Sequence, residues 1–525
     1  MNLPARIEQA LARGNLREAS SLAGEWCRAE PGNPAAVQKA ADIAFRRFEF
    51  VHAARLYREC LALDSARWPA WLNLAFCERL QGYAERWREA LENAVAHCPD
   101  RVLACRLHSN MLVHLHGWPS LTQDDLVREI RQWASQRLPP TTQPPTNPPH
   151  PEGDRPDRAV LSPSGRLRIG YVSGNWPGAI LPALLPGVLA EHDPTSVAPT
   201  LISTSQGLHQ PPAVFARLDC AWQVVRPEAL AESLAGRFDV LVDLDGHSPT
   251  GQLPAWQRGM APVQLSWLDW FNTTGHPAFD GYVSDPVSTP EAMAESFTER
   301  LWLLPFFRLP YRPPPWLGEL SVLRLPSTDR RFTFGCYTRL DKLHDELMAS
   351  WARILAAVPG SLLVLKSGLL EAASVQRVFA DRFARHGIER DRLVWLGKTD
   401  YRSHLEAYRR LDLVLDTWPY NGGVSSFDAL AMGVPVLTML GATPVARQTA
   451  AILADAGIAG LTASSAADYV DRAIAFGRGD AALPGREQVR AALLASPAVD
   501  GKRFARALES IYFEAVRAAG SLPRG

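Results

Sequence analysis

The spacing of hydrophobic residues changes part-way along the chain. Up to about residue 138, apolar residues recur every three or four positions, as at Ala36, Ala40 and Ala44, and this spacing predicts helices throughout. From Arg166 onward, short β-branched runs alternate with helical stretches. Alternating strands and helices predict parallel sheets. We therefore expect an all-α region followed by an α/β region.

The helical region carries a repeat of 34 residues. Pro31, Ser65 and Pro99 have this spacing and close successive helix pairs. A second series with the same spacing lies where one helix turns into the next: Gly14, Phe48 and Gly82. The pattern resembles tetratricopeptide repeats, with about three degenerate units. Such units stack into a concave groove that usually binds a peptide, so we expect this region to hold a protein or peptide partner. An ordinary helical bundle is the alternative.

The α/β region contains two series of candidate strands. The first is Leu167–Val172, Phe238–Leu244, Val263–Trp267, Gly281–Val283 and Leu301–Leu304. The second is Phe332–Cys336, Leu362–Leu365, Leu393–Leu396, Leu413–Leu415 and Val436–Met439. Two series predict two doubly wound halves, and ligands in such folds bind at the carboxyl ends of the strands.

The expected division of the chain follows from these patterns. Nine prolines fall between Pro139 and Pro163, and prolines at that density remove backbone donors and prevent helix formation. We expect an extended linker there. The predicted segments are helical repeats at 1–138, the linker at 139–165, two Rossmann-like halves at 166–315 and 328–500, and a terminal helix at 501–518.

Composition and charge narrow the classes of function. The chain has 525 residues, 47% of them hydrophobic, with 55 basic against 55 acidic side chains. This balance argues against a general binder of nucleic acid or anionic membranes. No apolar run reaches the roughly 18 residues of a membrane span, and the first residues lack an apolar signal core. Seven scattered cysteines without a CxxC pair argue against a disulfide scaffold and favour a reducing compartment. We expect a cytoplasmic protein.

The strongest candidate site follows the strand Leu413–Leu415. The strand runs into the turn Tyr420–Gly423, and a helix begins at Val424. Glycines let the backbone approach a ligand closely, and exposed N–H groups at a helix start, with the hydroxyls of Ser425 and Ser426, favour an anion such as a diphosphate. Asp428, one turn into the helix, has a carboxylate suited to ribose hydroxyls. An ordinary helix cap has the same appearance.

Other candidates lie near further strand ends. Arg339 and Lys342 follow the first strand of the second half, where a lysine can neutralise a phosphate and an arginine can bind it with two donors. His404 is a lone histidine early in a helix. In the first half, Asp239 to Ser248 combines carboxylates with His247, the residue types that general-base chemistry needs. A turn shaped by Asp and Gly is the structural alternative.

Taken in order, these segments resemble the O-linked N-acetylglucosamine transferase family, including its SPINDLY-like members. The tetratricopeptide-like repeats come first, and the shared motifs follow in the same order. They include Asp-Leu-x-Gly-His at 243–247, Pro-Val-Gln at 262–264, Thr-Thr-Gly at 273–275, the Lys342 loop, His404, Asn-Gly-Gly at 421–423 and Gly-Val-Pro-Val at 433–436. The resemblance covers nearly the whole chain apart from the proline-rich segment.

The resemblance implies a glycosyltransferase B fold, two Rossmann-like halves preceded by the repeats, and a nucleotide-sugar donor. It implies an inverting transfer, without a metal or cofactor, of N-acetylglucosamine from UDP-GlcNAc to serine or threonine of a protein. Lys342 matches the lysine on the β-phosphate, with Arg339 nearby, and His404 matches the histidine at the uridine. The remaining donor-binding matches are Asn421, Gly422, Gly423, Val424, Ser425, Ser426 and Asp428.

Three departures leave the catalytic base open. Trp176 stands where the family carries a histidine after the first strand, Asp239 where it carries a second, and Val424 where a hydroxyl residue is usual. Asp239 and His247 are the candidate catalytic residues beside Lys342, and Asp245 is a further possibility. The altered loop keeps alternatives open: GDP-fucose as donor, glucose transfer from UDP-glucose to asparagine, or a catalytically weak peptide-binding scaffold.

Overall fold

The protein is described by a computed structural model covering residues 2–138, 165–325 and 331–520. The linker predicted at 139–165 lies outside the described residues except for Gly165, so the linker stays a prediction. Within the described ranges, no helix is long and apolar enough to cross a membrane.

Eight helices occupy the first part of the chain. They are α1 (Leu3–Ala12), α2 (Leu16–Ala29), α3 (Pro34–Arg46), α4 (Phe50–Leu63), α5 (Trp68–Leu80), α6 (Ala84–His97), α7 (Arg101–Leu115) and α8 (Gln123–Arg137). Gly14, Phe48 and Gly82, the residues of the 34-residue series, have φ angles of 72°, 59° and 86°. Each therefore makes the left-handed turn inside a helix pair, and the predicted helical repeat region is confirmed as three pairs, α1–α2, α3–α4 and α5–α6. In the second pair a phenylalanine adopts a conformation that favours glycine.

The first strand series forms one parallel sheet. Its elements are β1 (Leu167–Ser173), α9 (Ile180–Leu184), α10 (Pro186–Leu189), β2 (Val197–Ser203), β3 (Ala221–Val224), α11 (Leu230–Leu234), β4 (Val240–Asp243), β5 (Val263–Ser266), β6 (Gly281–Ser284) and β7 (Arg300–Leu303). The strand order is β3-β2-β1-β4-β5-β6-β7. Strands β1, β4, β5 and β6 are almost wholly buried, as expected for the centre of a covered parallel sheet.

The second series is also parallel. Its elements are β8 (Thr333–Cys336), α12 (Asp345–Ala357), β9 (Leu362–Lys366), α13 (Ala373–Ala384), β10 (Leu393–Leu396), α14 (Tyr401–Ala407), β11 (Leu413–Leu415), α15 (Val424–Ala431), β12 (Val436–Met439), α16 (Gln448–Asp455) and β13 (Thr462–Ala463). Strands β10, β9, β8 and β11 pair in that order, and β12 pairs with β13. Three helices follow, α17 (Ala466–Arg478), α18 (Arg486–Leu494) and α19 (Gly501–Ala518).

The described chain divides into two compact units that do not follow chain order. The first unit comprises Met1–Met111, Pro326–Thr417 and Val470–Ala481, and the second comprises Leu112–Leu325, Trp418–Tyr469 and Ala482–Gly525. The first therefore holds α1–α6 together with β8–β11, and the second holds the seven-stranded sheet, α15 and α19. The predicted segment boundaries stay a prediction.

The last helix, α19, belongs to the second unit and packs against α10. Its Tyr512 hydroxyl lies 3.0 Å from that of Tyr171 in β1, and Glu509 accepts a hydrogen bond from His192 Nδ1 at 2.9 Å. The final helix, which the sequence predicts at 501–518, thus packs against the first Rossmann-like half within the second unit.

Candidate functional site

In the first unit, Lys342 ends a short 3₁₀ turn, Leu340–Lys342, beyond β8. Burial, followed by the nearby charge of Arg339, lowers the pKa of Lys342 to about 7. The groups that oppose this shift are Asp416, Asp341 and Cys336. Since an opposite charge favours the charged form, an anion bound at this amine would bring a proton with it. The amine is thus partly neutral near pH 7 without a ligand and becomes fully charged when an anion binds.

Arg339 lies beside Lys342 and faces outward. Its side chain is 53% exposed, with Nε 3.6 Å from Asp341 Oδ1. At this length, and with the guanidinium half exposed, the ion pair contributes little to stability.

His404 lies in α14, whose first turn is capped by Asp400, with Oδ1 accepting from Ser403 N at 3.0 Å. Burial, followed by the charge of Lys366, lowers the pKa of His404 to about 4. The ring centroid is 5.5 Å from that of Tyr408 and 5.9 Å from that of Tyr337. The imidazole is therefore neutral near pH 7, so it can offer hydrogen bonds to a ligand but no charge.

In the second unit, the turn ending at Gly423 leads into α15, which begins at Val424. The first N–H groups of a helix lack partners within the helix and carry the positive end of its dipole. Val424 and Ser425 provide two of them. Asn421 is buried, and its backbone N–H points to Val445 O at 3.4 Å. The predicted turn and helix start are therefore present, and anion binding there stays a prediction.

Two predicted donor-binding residues in α15 make internal contacts. Ser426 is buried, with its Oγ 2.9 Å from Thr449 Oγ1, and Thr449 donates in turn to Gly422 O at 3.2 Å. Ser426 therefore stabilises the glycine turn through Thr449. Asp428 is also buried and accepts a hydrogen bond from the Tyr311 hydroxyl at 3.0 Å, so its carboxylate is held in one orientation.

Asp239 lies at the amino end of β4 and is fully buried. Its two carboxylate oxygens accept from the Arg168 side chain, at 2.8 Å to Nη2 and 3.2 Å to Nε, and Oδ2 also accepts from Arg168 N at 2.7 Å. This ion pair links β1 and β4 near the amino ends of the two strands. Ligands of this fold class bind at the carboxyl ends, so Asp239 is placed to stabilise the sheet.

His247 lies beyond the carboxyl end of β4 and is fully buried. Its Nε2 lies 2.9 Å from Thr274 O, and because a carbonyl oxygen only accepts, Nε2 carries the proton. The ring packs between Trp133 and Trp270, at centroid distances of 4.5 and 4.6 Å. These contacts fix the orientation of the imidazole.

Two buried aspartates share this edge of the sheet with His247. Burial, followed by the charge of Asp245, raises the pKa of Asp243 to about 8, and burial also raises the pKa of Asp245. Asp245 accepts from Gly174 N at 2.7 Å and from the Ser173 hydroxyl. These bonds tie the loop after β1 to the loop after β4.

Trp176, at the position of the missing family histidine, is a core residue. It is fully buried, donates from Nε1 to Ile202 O at 2.9 Å, and packs edge-on against Phe215 and Trp222 at 5.1 and 5.7 Å. No titratable group stands there.

Comparison with known proteins places these features in a family. Residues 321–508 match Glycosyl transferase family 41. A probable UDP-N-acetylglucosamine–peptide N-acetylglucosaminyltransferase SPINDLY from Hordeum vulgare is 34% identical over 279 residues, which is 53% of this chain and 29% of that protein. The SEC protein of Arabidopsis thaliana is 26% identical over 369 residues, 66% of this chain and 37% of its own length.

One solved structure matches nearly the whole chain. A mutant of the Thermobaculum terrenum O-GlcNAc transferase superimposes with a TM-score of 0.80 and 29% identity, over 98% of this chain and 97% of that one. The chain is thus similar to the O-GlcNAc transferase and SPINDLY-like family. The recognition made from sequence is confirmed, as is the glycosyltransferase B-like fold with its helical repeat region. The chain spans about a third of the length of the curated relatives it matches.

The chain places its sequence-predicted residues in separate groups. Arg339 and Lys342 adjoin in the first unit, where His404 packs on Tyr337. In the second unit, residues 421–428 form one turn and helix start. His247 lies beyond the carboxyl end of β4, and Asp239 lies at the amino end of the same strand. Sequence reasoning missed Tyr311 and Thr449, because neither belongs to a motif and each acts only through tertiary contact.

Within the described ranges, no three His, Cys, Asp or Glu side chains are placed to hold a metal ion.

Proposed function

We propose that this chain transfers N-acetylglucosamine from UDP-GlcNAc to a serine or threonine hydroxyl of a protein, with inversion at the anomeric carbon. The observation that carries the proposal is the end-to-end likeness to a solved O-GlcNAc transferase. The relatives named UDP-N-acetylglucosamine–peptide transferases support the same donor and a peptide acceptor.

The donor roles we propose follow the family resemblance. Lys342 binds the β-phosphate, Arg339 assists it, and His404 binds the uracil or ribose as a neutral imidazole. Residues 421–426 bind the diphosphate through backbone N–H groups, and Asp428 accepts from the ribose. As the glycosidic bond to UDP breaks, negative charge grows on the diphosphate, and a protonated lysine with helix-start amides stabilises it there. We propose that neither a metal nor another cofactor takes part.

For the acceptor step, His247 is the better placed of the two predicted bases. It lies just beyond the carboxyl end of β4, whereas Asp239 is bound to Arg168 at the amino end of that strand. We propose that the helix pairs α1–α6 hold the acceptor protein. All seven cysteines are free thiols, which supports a reducing, cytoplasmic location.

The test begins with donor selectivity. Thermal shifts of the full chain are measured with UDP-GlcNAc, UDP-glucose, GDP-fucose, UDP and GDP. A ligand that binds only the folded state stabilises it by about 2.7 kcal/mol at a hundredfold excess over its Kd. We expect shifts with UDP compounds and none with GDP. A GDP preference would replace UDP-GlcNAc by GDP-fucose in the proposal, and no shift at all would favour the peptide-binding scaffold.

The second step is transfer itself. UDP release from UDP-GlcNAc and the mass gain of acceptor proteins are followed for the wild type and Lys342→Met. Lys398→Met is the matched control, because Lys398 is an exposed lysine of the same unit. We expect Lys342→Met to abolish transfer and Lys398→Met to leave it unchanged. Transfer that survives Lys342→Met would exclude the proposed donor role.

A further inference from the structure

The loop that carries Lys342 is tied to the helical repeats within the first unit. Arg79, near the end of α5, places Nη2 3.4 Å from Asp341 Oδ2. The two side chains are only 16% and 12% exposed, so water screens the pair little. Burial lowers the pKa of Arg79 and Asp341 opposes that shift, which makes the carboxylate the partner that keeps the guanidinium charged. The residue before Lys342 is thus anchored to the third helix pair.

The residue after Lys342 is anchored as well. Arg382 in α13 is 2% exposed and donates from Nη2 to Leu343 O at 2.6 Å and to Asp345 Oδ1 at 2.7 Å. Its Nη1 donates to Leu80 O, the last residue of α5, at 3.2 Å. One guanidinium therefore joins the end of α5 to the backbone on the far side of Lys342.

Gly82 makes room for this arginine. It has a φ of 86°, and a Cβ built there would lie 2.9 Å from Arg382 Nη2. A larger residue would meet both a strained backbone and the guanidinium. The turn of the third helix pair is therefore shaped around Arg382.

We propose that Arg79 and Arg382 are positioning residues that fix Lys342 against the third helix pair of the repeats. This inference rests on the proposed function, in which Lys342 binds the donor phosphate. Arg79 holds Asp341 and Arg382 holds Leu343, so both neighbours of the lysine are fixed from α5. When a binding group is already held in place, less free energy is lost in ordering that group as the ligand binds.

The ion pair also sets the charge around Lys342. The groups that face its amine are Arg339, Asp341, Asp416 and Cys336, and Arg79 acts through Asp341. Asp341 favours the charged amine, and Arg79 neutralises part of that effect. Removing Arg79 therefore raises the pKa of Lys342, whereas removing the carboxylate of Asp341 lowers it. A role limited to folding would not produce opposite shifts from the two partners of one ion pair.

The experiment uses the full chain and compares Arg79→Met, Asp341→Asn and Arg88→Met with the wild type. Arg88 is the matched control, because it makes an ion pair with Glu92 at 2.8 Å in the same helix pair. The chain has only five lysines. The pH dependence of Lys342 acetylation is therefore readily followed by peptide mass spectrometry, with Lys398 as internal reference.

We expect the acetylation midpoint of Lys342 to rise in Arg79→Met, to fall in Asp341→Asn and to stay unchanged in Arg88→Met. At about pH 6, Lys342 is mostly charged in the wild type and in Arg79→Met, so calorimetry on these two proteins reports positioning apart from charge. We expect UDP to bind Arg79→Met about tenfold more weakly. Arg79→Lys, which keeps the charge, should recover part of both effects. Equal midpoints, or shifts in the same direction, would overturn the proposal.

Failure of the donor assignment gives a different result. If Lys342→Met binds UDP like the wild type, the proposed function fails, while the acetylation midpoints still report whether Arg79 and Asp341 act on Lys342. If Lys342→Met loses UDP binding but Arg79→Met binds at wild-type strength, the positioning role alone is wrong. Arg79→Gln is the milder substitution should Arg79→Met not fold.

Discussion

At the scale of single residues, Lys342 is an amine whose surroundings disfavour its charge. Its pKa is about 7 without ligand, and the two negative phosphates of UDP will raise it. At about pH 8 the free amine is mostly neutral and the bound amine charged, so we expect UDP binding to take up close to one proton. Calorimetry in two buffers of different ionisation enthalpy measures this uptake. Lys342→Met should show none, and a wild-type binding enthalpy independent of buffer would contradict the prediction.

The same lysine is predicted to lower stability. Its folded pKa of about 7 lies below the unfolded value of 10.5, so between these values the unfolded chain binds more protons and stability rises with pH. The loss of unfolding free energy caused by the buried charge of Lys342 is therefore greatest at and below pH 7. We expect Lys342→Met to raise Tm by about 2 °C at neutral pH, with a smaller gain at about pH 9. Thermal melts at both pH values check this, and a lower Tm at neutral pH would count against it.

The sequence offers Asp239 as a candidate catalytic residue, and its contacts in the structure suit a structural role. A carboxylate with three hydrogen bonds to Arg168 in a buried position contributes to stability, and removing one partner leaves the other uncompensated. We expect Asp239→Asn to lose about 2 kcal/mol of unfolding free energy while the folded protein keeps transfer within about threefold. Urea unfolding and initial rates measure the two effects. A collapse of the rate without loss of stability would make Asp239 catalytic after all.

At the scale of elements, continuous hydrophobic runs predicted most of the strands. Every predicted strand is present within one or two residues at each end. Val197–Ser203 was missed because Pro199 and Thr200 interrupt its apolar run, and Ala221–Val224 because all four residues are at least partly exposed. The two-residue strand Thr462–Ala463 is too short to show a pattern. The repeat period was visible because the left-handed turns recur at fixed spacing.

The helix pair α7–α8 was not distinguished from the repeats by its sequence, yet it is bonded to the loop after β5. Asn272 donates to His116 Nε2 at 3.0 Å and exchanges hydrogen bonds with the amide of Gln123, and all three side chains are buried. Burial lowers the pKa of His116 to about 4, which suits an imidazole that accepts from Asn272. The end of α7 and the whole of α8 therefore belong to the second unit.

Removing the central amide of this network leaves buried donors and acceptors without partners. We expect Asn272→Ala to destabilise the protein by about 3 kcal/mol. Asn93→Ala is the control, because Asn93 bonds only within its own helix, to Glu89 O. Denaturant unfolding compares the two. Equal losses below about 0.5 kcal/mol would show that the network contributes nothing.

At the scale of the whole molecule, the sequence could indicate candidate ligand-binding residues but not the residues that hold them in place. Lys342, His404 and residues 421–428 belong to local motifs, so the sequence could propose them. Arg382 and Leu80 are 302 positions apart, and Tyr311 and Asp428 are 117 apart. Such pairs depend on how three separate segments come together in each unit. No spacing or composition along the chain encodes that arrangement directly.

The final helix gives the last prediction, because it fixes the end of the chain to the first strand of its unit. Hydrogen bonds from His192, Asp193 N and Arg506 outweigh the effect of burial and lower the pKa of Glu509. A depressed folded pKa contributes stability above the unfolded value, and this stability is lost as the pH falls through the folded one. Glu509→Gln should therefore lower Tm at pH 7, and the difference should shrink once wild-type Glu509 is protonated in acid.

Thermal melts from about pH 7 to pH 3 follow this difference. Glu514→Gln is the control, because Glu514 lies on the exposed side of the same helix. A constant difference between Glu509→Gln and the wild type over the whole range would mean that Glu509 stabilises the helix by packing and not by charge. Since the remaining hydrogen bond between Tyr171 and Tyr512 does not titrate in this range, it cannot imitate the expected convergence.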